Sequence, residues 1–375
     1  MTAGCQLVDF EERHRPALLR FYRRNFGAWA AERFAARWQW QFGTGNPYLG
    51  ERAAQIRVGV VGDDVVAHLA AFPLPLRLAG ERTVALCESD FAVDPAYPML
   101  AATLIRGFRR HAPIVNGGSH PAVRRMLAML GAVFLPATEV QLVYTLTNRG
   151  VARRALARRL PPPLRGLART PLAWLARPFV RAARERHPRP PLPAPDGPVE
   201  VRPLDGFGPE VDALWAEASQ DVPHAFEKDA RHLEWRYRRG PARRLHCLGA
   251  YAQGRLRGLA VVGSVARLAA GYEPLGHDGE FLEVIVAPGE TGVARALFLA
   301  GAQPLQEEGA ESLRTTGLTP WLAGVARELG FVARPSASRS LAVTLAPGPR
   351  PAGIEDAAQW FTSPGDADTL YTLTL

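Results

Sequence analysis

The chain has 375 residues, of which 47% are hydrophobic and 22% are charged, proportions typical of a globular protein with room for two or more domains. No run approaches the roughly 20 apolar residues of a membrane-spanning helix, and no secretory signal is visible at the N-terminus. We therefore expect a cytoplasmic protein without an integral membrane segment. The three widely spaced cysteines have neither disulfide nor zinc spacing, so no structural metal is expected.

The net charge of +9 comes from one segment of the chain. Residues 149–195 contain twelve arginines and one acid, a balance of +11, which leaves 9 − 11 = −2 for the remainder. Because the basic residues are not spread over a domain and no nucleic-acid-binding motif is present, nucleic acid is not an expected partner.

Hydrophobic periodicity predicts alternating helices and strands in the first 147 residues. Gly62-Asp63-Asp64 predicts a hairpin between the second and third strands. The predicted elements are a strand at 6–8, helices at 11–25 and 30–42, strands at 56–61, 65–78 and 84–93, a helix at 99–110, a strand at 114–116, a helix at 121–130 and a closing strand at 132–146.

The same order follows an arginine- and proline-rich linker at 148–198. His277-Asp278, just before the central strand, could assist proton transfer, although a solvated loop pair is the favoured interpretation. The predicted elements are a strand at 199–204, helices at 209–219 and 229–239, strands at 245–252, 256–265 and 280–286, a helix at 292–308, a strand at 312–315, a helix at 320–329 and a strand at 331–345. This order predicts one layered α/β architecture, present twice.

Three sequence anchors support a duplication. Residues 37–42 recur as 232–237, residues 89–95 as 282–288, and residues 121–134 as 320–331, in the same order. The repeat predicts an N-terminal domain at 1–147, the linker at 148–198, a C-terminal domain at 199–346 and a tail at 347–375.

The segment Val-Ala-Pro-Gly-Glu-Thr-Gly-Val-Ala at 286–294, together with the element order, resembles the GCN5-related N-acetyltransferase (GNAT) family. The resemblance implies an α/β fold with two tandem GNAT-like domains, each a mixed central sheet flanked by helices. It also implies that acetyl-CoA or another acyl-CoA is the co-substrate. The implied binding residues lie on the central strand and at the start of the next helix: Val284, Ile285, Val286, Gly289, Thr291, Gly292, Val293 and Ala294.

The chain departs from the family pattern at two places. Gly289 stands where the pyrophosphate turn has Gln or Arg, and the first copy has Pro98 and Met99 in its turn, which predicts loss of CoA binding there. Ala326 and Leu127 stand where many members of the family have a tyrosine acid.

Two glutamates on the central strand, Glu280 and Glu283, are the candidate catalytic bases. Their odd separation predicts that their side chains point to opposite faces of the sheet. In the alternative, purely structural interpretation, Glu280 lies at the exposed start of the strand and Glu283 pairs with an arginine. Asp90, Trp235 and Tyr237 are candidate substrate residues, although the helical spacing of the two aromatic residues favours core packing.

The resemblance thus implies an N-acyltransferase, in its common form an N-acetyltransferase, that acts on a small amine or an amino sugar by direct attack. Two alternatives remain open. One is a catalytically degenerate pair of domains that binds a ligand or a protein. The other is a transferase that uses an acyl carrier protein, which the arginine pairs 153–154 and 158–159 of the linker would hold.

Overall fold

The computed structural model describes residues 5–108, 112–117, 121–147, 199–241, 244–268, 274–335, 340–345 and 348–366. The linker at 148–198 lies outside these ranges, as does the end of the tail. So does His120, which the sequence predicts to be a capping or turn residue before the helix at 121–130. The described residues form two compact units: unit 1 contains those within 1–139, 219–241 and 336–371, and unit 2 contains those within 140–218 and 242–335.

Unit 1 contains a nine-stranded mixed sheet, counted over the described residues. Numbered in chain order, its strands are β1 (Cys5–Asp9), β2 (Gln55–Val61), β3 (Asp64–Leu78), β4 (Glu81–Val93), β5 (Ile114–Gly117), β6 (Val133–Phe134), β9 (His224–Phe226), β15 (Leu341–Thr344) and β16 (Trp360–Phe361). The main path runs β1-β2-β3-β4-β5-β15-β6, and β9 joins β3 to β16.

Unit 2 contains a seven-stranded sheet in the order β14-β7-β13-β12-β11-β10-β8, again counted over the described residues. Its strands are β7 (Val140–Thr145), β8 (Glu200–Pro203), β10 (Leu245–Ala252), β11 (Arg255–Leu268), β12 (Pro274–Val286), β13 (Ser312–Thr316) and β14 (Val332–Pro335). β12 and β13 run parallel, whereas the other neighbours are antiparallel.

Helices cover the sheets through apolar faces. They are α1 (Arg15–Phe42), α2 (Leu100–Phe108), α3 (Pro121–Met129), α4 (Pro209–Ala218), α5 (Ala230–Leu233), α6 (Thr291–Glu307) and α7 (Pro320–Glu328), and a π-helical turn follows α5 at Glu234–Arg238. In unit 2, α6 and α7 pack on the sheet around Phe281 and Phe298, whose ring centroids are 5.0 Å apart. The predicted fold class, two α/β domains with mixed sheets and flanking helices, is confirmed.

Several predicted elements differ from the structure in their boundaries. The predicted helices at 11–25 and 30–42 form one element, α1, which is interrupted at Gly27 by a positive φ of 82°, a conformation that glycine adopts at no steric cost.

Each predicted closing strand is divided in two. Prolines stand at matching places, Pro136 between β6 and β7 and Pro335 at the end of β14, where the missing N–H cannot continue the ladder. The second half of each closing strand lies in the sheet of the other unit: β7 pairs with β13, and β15 pairs with β5. The boundaries 1–147 and 199–346 therefore describe the repeat in the sequence. The sheet of unit 2 includes β7 of the first repeat, and that of unit 1 includes β9 and β15 of the second repeat and β16 of the tail.

Candidate functional site

The two central strands of unit 2 diverge. β12 and β13 are paired at only two positions, Gly279 with Leu313 and Glu280 with Arg314. Beyond Glu280, β12 continues for six residues without a strand partner on that side within the described residues. Val284, Ile285 and Val286 lie on this continuation, where they pair with β11 on the other side. The backbone of these three residues therefore borders the gap between the diverging strands.

The three acids of β12 share one face of the sheet. In the antiparallel ladder, Asp278, Glu280 and Glu283 are opposite β11 residues 265, 263 and 261, which alternate and so point to the same side. A bulge places Leu282 outside the pairing, because Phe281 pairs with residue 262 and Glu283 with residue 261. The prediction that Glu280 and Glu283 face opposite sides was wrong, since the extra residue of a bulge resets the alternation.

The three acids, which we call the carboxylate face, are fully buried. Asp278 accepts a hydrogen bond from Ser312 Oγ (2.7 Å) and forms an ion pair with Arg314 Nη1 (3.1 Å). The sequence interpretation of Asp278 as a solvated loop residue was wrong, because β12 begins at Pro274 and carries it into the sheet. Carboxylates grouped on one face can bind a cationic amine and can accept a proton from it.

The turn after β12 presents free backbone N–H groups. Gly289 has φ +80°, and the first helical hydrogen bond of α6 is donated by Ala294 to Glu290 (3.0 Å). The amides of Gly292 and Val293 donate to no backbone carbonyl in the described chain. Thr291 and Gly292 are exposed, and no atom lies within 4 Å of the position of a Cβ on Gly292. The start of α6 can therefore bind an anion with its amides and the positive end of its dipole.

The corresponding turn of the first copy offers fewer free N–H groups than the turn of unit 2. Leu100 donates to the carbonyl of Tyr97 (3.0 Å), and Ala101 donates to that of Pro98 (3.3 Å). Asp94 also accepts a bond from the amide of residue 96 at 3.0 Å. At the places of Gly292 and Val293 this turn has Met99 and Leu100, of which the amide of Leu100 is engaged, and Pro98, at the place of Thr291, has no N–H to donate.

A guanidinium group lies beside the open turn of unit 2. Arg257 is bonded to both carboxylate oxygens of Glu217 (2.7 and 2.9 Å) and to Glu290 Oε1 (3.1 Å), and its carbonyl accepts from the amide of Ala287 (2.9 Å). These acids raise the pKa of Arg257, so its charge is fixed. Sequence reasoning missed Arg257, because it lies about 30 residues before the turn and reaches it only through the β11–β12 ladder.

The candidate substrate residues Trp235 and Tyr237 lie in the core of unit 1. Trp235 stacks on Trp40 with ring centroids 4.9 Å apart. Each indole N–H donates to the other residue's carbonyl, at 2.9 Å from Trp40 and 3.2 Å from Trp235. Tyr237 is 4% exposed. This is the core packing that helical spacing favours, and contact with a substrate stays a prediction.

Asp90 is fixed in a polar cluster of unit 1. It adopts a positive φ of 60° and forms a buried ion pair with Arg37. Its second carboxylate oxygen accepts from Ser89 Oγ at 2.9 Å, and its carbonyl is bonded to the His68 ring (3.0 Å). Burial lowers the pKa of His68 to about 3, so this ring is neutral. Contact of Asp90 with a substrate stays a prediction.

Both positions of the tyrosine acid are filled by core residues. Ala326 and Leu127 are at most 1% exposed. The described residues contain no group of three or more His, Cys, Asp and Glu side chains that could bind a metal. None of the helices in the described ranges is both long and apolar enough to span a bilayer.

Comparisons with known proteins identify the fold. No protein-family model and no curated protein sequence matches the chain. Saccharomyces cerevisiae N-myristoyltransferase with bound myristoyl-CoA and inhibitors aligns with a TM-score of 0.58 and 10% identity over 100% of this chain and 88% of its own. A GCN5-related N-acetyltransferase from Kribbella flavida aligns at 0.51 and 15% identity over 91% and 72%. One from Anabaena variabilis aligns at 0.52 and 10% identity over 90% and 72%. The chain therefore has the GNAT fold, present as a tandem pair.

Proposed function

We propose that the chain is an acyl-CoA-dependent N-acyltransferase whose donor site lies in unit 2. The observation that carries this proposal is the open turn at Gly292 and Val293, directly after a central strand that has separated from its parallel neighbour. The amides at the turn suit a pyrophosphate, and the free backbone edge of β12 suits the polar groups of an extended chain. Acetyl-CoA is the simplest donor, and other acyl-CoA donors use the same contacts.

Arg257 supplies the cation that the motif lacks at Gly289. Its Nε is bonded to the side chain of Glu290, which is the N-cap residue of α6. The guanidinium therefore lies next to the first turn of α6 and its free amides. An incoming pyrophosphate would compete with Glu290 for this guanidinium, while Glu217 would keep it oriented through two parallel bonds. The site therefore pairs a fixed positive charge with backbone donors.

The acyl-CoA supplies an activated acyl group as a thioester substrate. We expect the backbone N–H groups of Val284 and Val286, which point away from β11, to stabilise the thioester oxygen as it gains charge. Glu280 or Glu283 accepts the proton from the attacking amine, directly or through a water, as the N–C bond forms and the C–S bond breaks. The thiolate that leaves takes a proton from solvent, because neither Ala326 nor Leu127 can donate one.

We propose a small amine or an amino sugar as the acceptor. The carboxylate face supports this choice, because buried acids that share one face attract an ammonium group and orient it toward β12. A binding protein without turnover is the second candidate, since the turn of the first copy offers fewer free amides than that of unit 2 and the acid positions hold core residues. Use of an acyl carrier protein depends on the linker, which lies outside the described residues.

Isothermal titration with acetyl-CoA tests the donor site. We expect micromolar binding to the wild type and loss of binding in Gly292→Trp, because a Trp side chain would occupy the open space in front of the amides. Met99→Trp is the matched control, since Met99 holds the equivalent place in the first copy and is 82% exposed. Equal binding by both variants would place the nucleotide elsewhere, and no binding to the wild type would favour a carrier protein or the non-catalytic candidate.

A second titration tests Arg257. We expect Arg257→Ala to weaken CoA binding about tenfold or more, because a charged hydrogen bond to phosphate is worth about 1.5–3 kcal/mol. Binding of a pantetheine thioester, which lacks the pyrophosphate, should change little. Arg255→Ala, two residues earlier on β11 and exposed, is the control. Equal losses for both ligands would assign Arg257 to folding rather than to phosphate binding.

Turnover of single variants tests the base. We expect Glu280→Gln or Glu283→Gln to lower kcat by about 100-fold or more while acetyl-CoA binding is unchanged. Turnover within a few-fold of the wild type in both variants would refute the base assignment. Turnover that requires an acyl carrier protein and is lost at high salt concentration would favour the carrier-dependent alternative.

A further inference from the structure

The gap between β12 and β13 in unit 2 is closed at one end. The two strands part directly after the pair Glu280–Arg314. Just beyond this pair, Thr315 Oγ1 donates to the carbonyl of Phe281 (3.4 Å) and so links the two strands again. The other end of the gap opens toward the turn at Gly292. A donor that lies along the free edge of β12 therefore runs from the turn toward the closed end.

The length of this edge places the acyl group near the closed end. Strand residues rise about 3.3 Å each, so the stretch from Val286 back to Phe281 spans roughly 15–17 Å. An extended pantetheine arm is of similar length, roughly 15 Å. Because the turn lies beyond Val286, the sulfur reaches the level of Val284. The acyl group then extends toward Phe281, where the gap narrows.

Aromatic rings fill the helix-covered side of the closed end. Phe281 is fully buried, and its ring centroid lies 5.0 Å from that of Phe298 and 6.3 Å from that of Phe331. A Cβ on Gly301 of α6 would come within 2.7 Å of the Phe281 ring, so the ring is in close contact with the backbone of this helix. An interior packed this closely takes up additional methylene groups only if a side chain is displaced.

Charged side chains lie on the opposite side of the closed end. Glu280 and Glu283 belong to the carboxylate face, and Arg314 of β13 forms its ion pair on the same face. A hydrocarbon chain that turned to this side would separate these groups from their polar surroundings, which is unfavourable. A long acyl chain is therefore excluded from both sides, by close packing on one and by charge on the other.

We propose that the donor carries a short acyl group, of the size of acetyl, and that the ring of Phe281 sets this limit. This inference rests on the donor site proposed above. The ring occupies the space that the outer carbons of a longer chain would need. A smaller side chain at this position would leave an apolar cavity beside Phe298 and Phe331, and such cavities bind apolar groups. Phe281 is thus a specificity-determining residue, and it takes no part in proton transfer.

Isothermal titration of the full-length protein with CoA, acetyl-CoA, butyryl-CoA and hexanoyl-CoA tests the limit. With the wild type we expect hexanoyl-CoA to bind about tenfold or more weakly than acetyl-CoA, because inserting methylenes into a packed core is unfavourable. With Phe281→Ala we expect the reverse order by about tenfold or more, since each methylene that becomes buried contributes about fourfold. Phe281→Leu removes less volume and should favour butyryl-CoA.

Leu297→Ala is the matched control. Leu297 belongs to the same core but contacts Gly258 of β11, on the side of β12 away from the gap. It should keep the wild-type order of binding. If Phe281→Ala fails to fold, Phe281→Leu alone decides.

Three results would overturn the inference while leaving the donor site in place. They are equal binding of acetyl-CoA and hexanoyl-CoA by the wild type, the wild-type order in the Phe281 variants, and a reversed order in Leu297→Ala as well. Failure of the wild type to bind CoA itself would refute the proposed donor site, and this inference with it.

Discussion

Glu88→Gln should make the stability of the protein less dependent on pH. Burial raises the pKa of Glu88 from an ordinary value of 4.5 to about 8 in the folded chain. Between these values the folded state binds a proton that the unfolded state has released, so the free energy of unfolding falls as the pH rises. The contribution of the neutral acid is complete below about pH 4.5 and is lost as the pH approaches 8.

The magnitude follows from the size of the interval. Each pKa unit corresponds to about 1.4 kcal/mol, so the interval from 4.5 to about 8 gives an upper value of roughly 5 kcal/mol. Partial exposure of the side chain to solvent lowers the expected change to about 2–4 kcal/mol. Gln keeps the shape and the hydrogen-bonding groups and has no proton to lose, so its curve should lack this slope.

Urea denaturation at pH 5, 6, 7 and 8 measures the difference. We expect the free energy of unfolding of the wild type, minus that of Glu88→Gln, to decrease steadily over this range. The m-values of the two proteins should be equal. Glu81→Gln, at the exposed start of the same strand, is the control and should follow the wild type. Parallel wild-type and Glu88→Gln curves would show that Glu88 is ionised and solvated at neutral pH, which would refute the argument from burial.

Three further substitutions have expected costs. Asp366→Asn should destabilise unit 1 by about 3–5 kcal/mol, because it removes the carboxylate of a buried ion pair with Lys228; a change below 1 kcal/mol in chemical denaturation would contradict this. Trp235→Phe should cost about 2 kcal/mol, since the Trp40 carbonyl loses its indole donor, and Trp fluorescence during unfolding measures it. Gly258→Ala should cost about 1–3 kcal/mol in thermal unfolding, because its Cβ would lie 2.7 Å from a side-chain carbon of α6, and an unchanged Tm would disprove that contact.

Much of the fold could be predicted from the sequence. The repeated anchors and the period of the apolar residues are local signals, and they predicted two α/β copies and most element boundaries in both. The turn at Gly292 could be predicted because its small residues are adjacent in the sequence. The exchange of β7 and β15 could not be predicted, because tertiary packing determines which strands pair. The only local signs of it are the prolines Pro136 and Pro335.

The candidate site was predicted less completely. The alternation rule gave the wrong faces for Glu280 and Glu283 because of the bulge at Leu282. That bulge depends on how β12 pairs with β11, and no residue of β12 alone indicates it. Asp278 was missed because β12 begins earlier than its apolar run, where Ser312 and Arg314 provide polar partners.

The exchanged strands also determine when the first repeat can finish folding during synthesis. The edge of β5 is completed only by residues 341–344, so more than 200 residues must follow Ile114 before that edge is covered. Closing so long a loop is slow compared with local pairing. A ribosome-bound chain that ends near residue 330 should therefore present an open sheet edge. We expect such a chain to be protease-sensitive in unit 1 until the last tenth of the protein emerges.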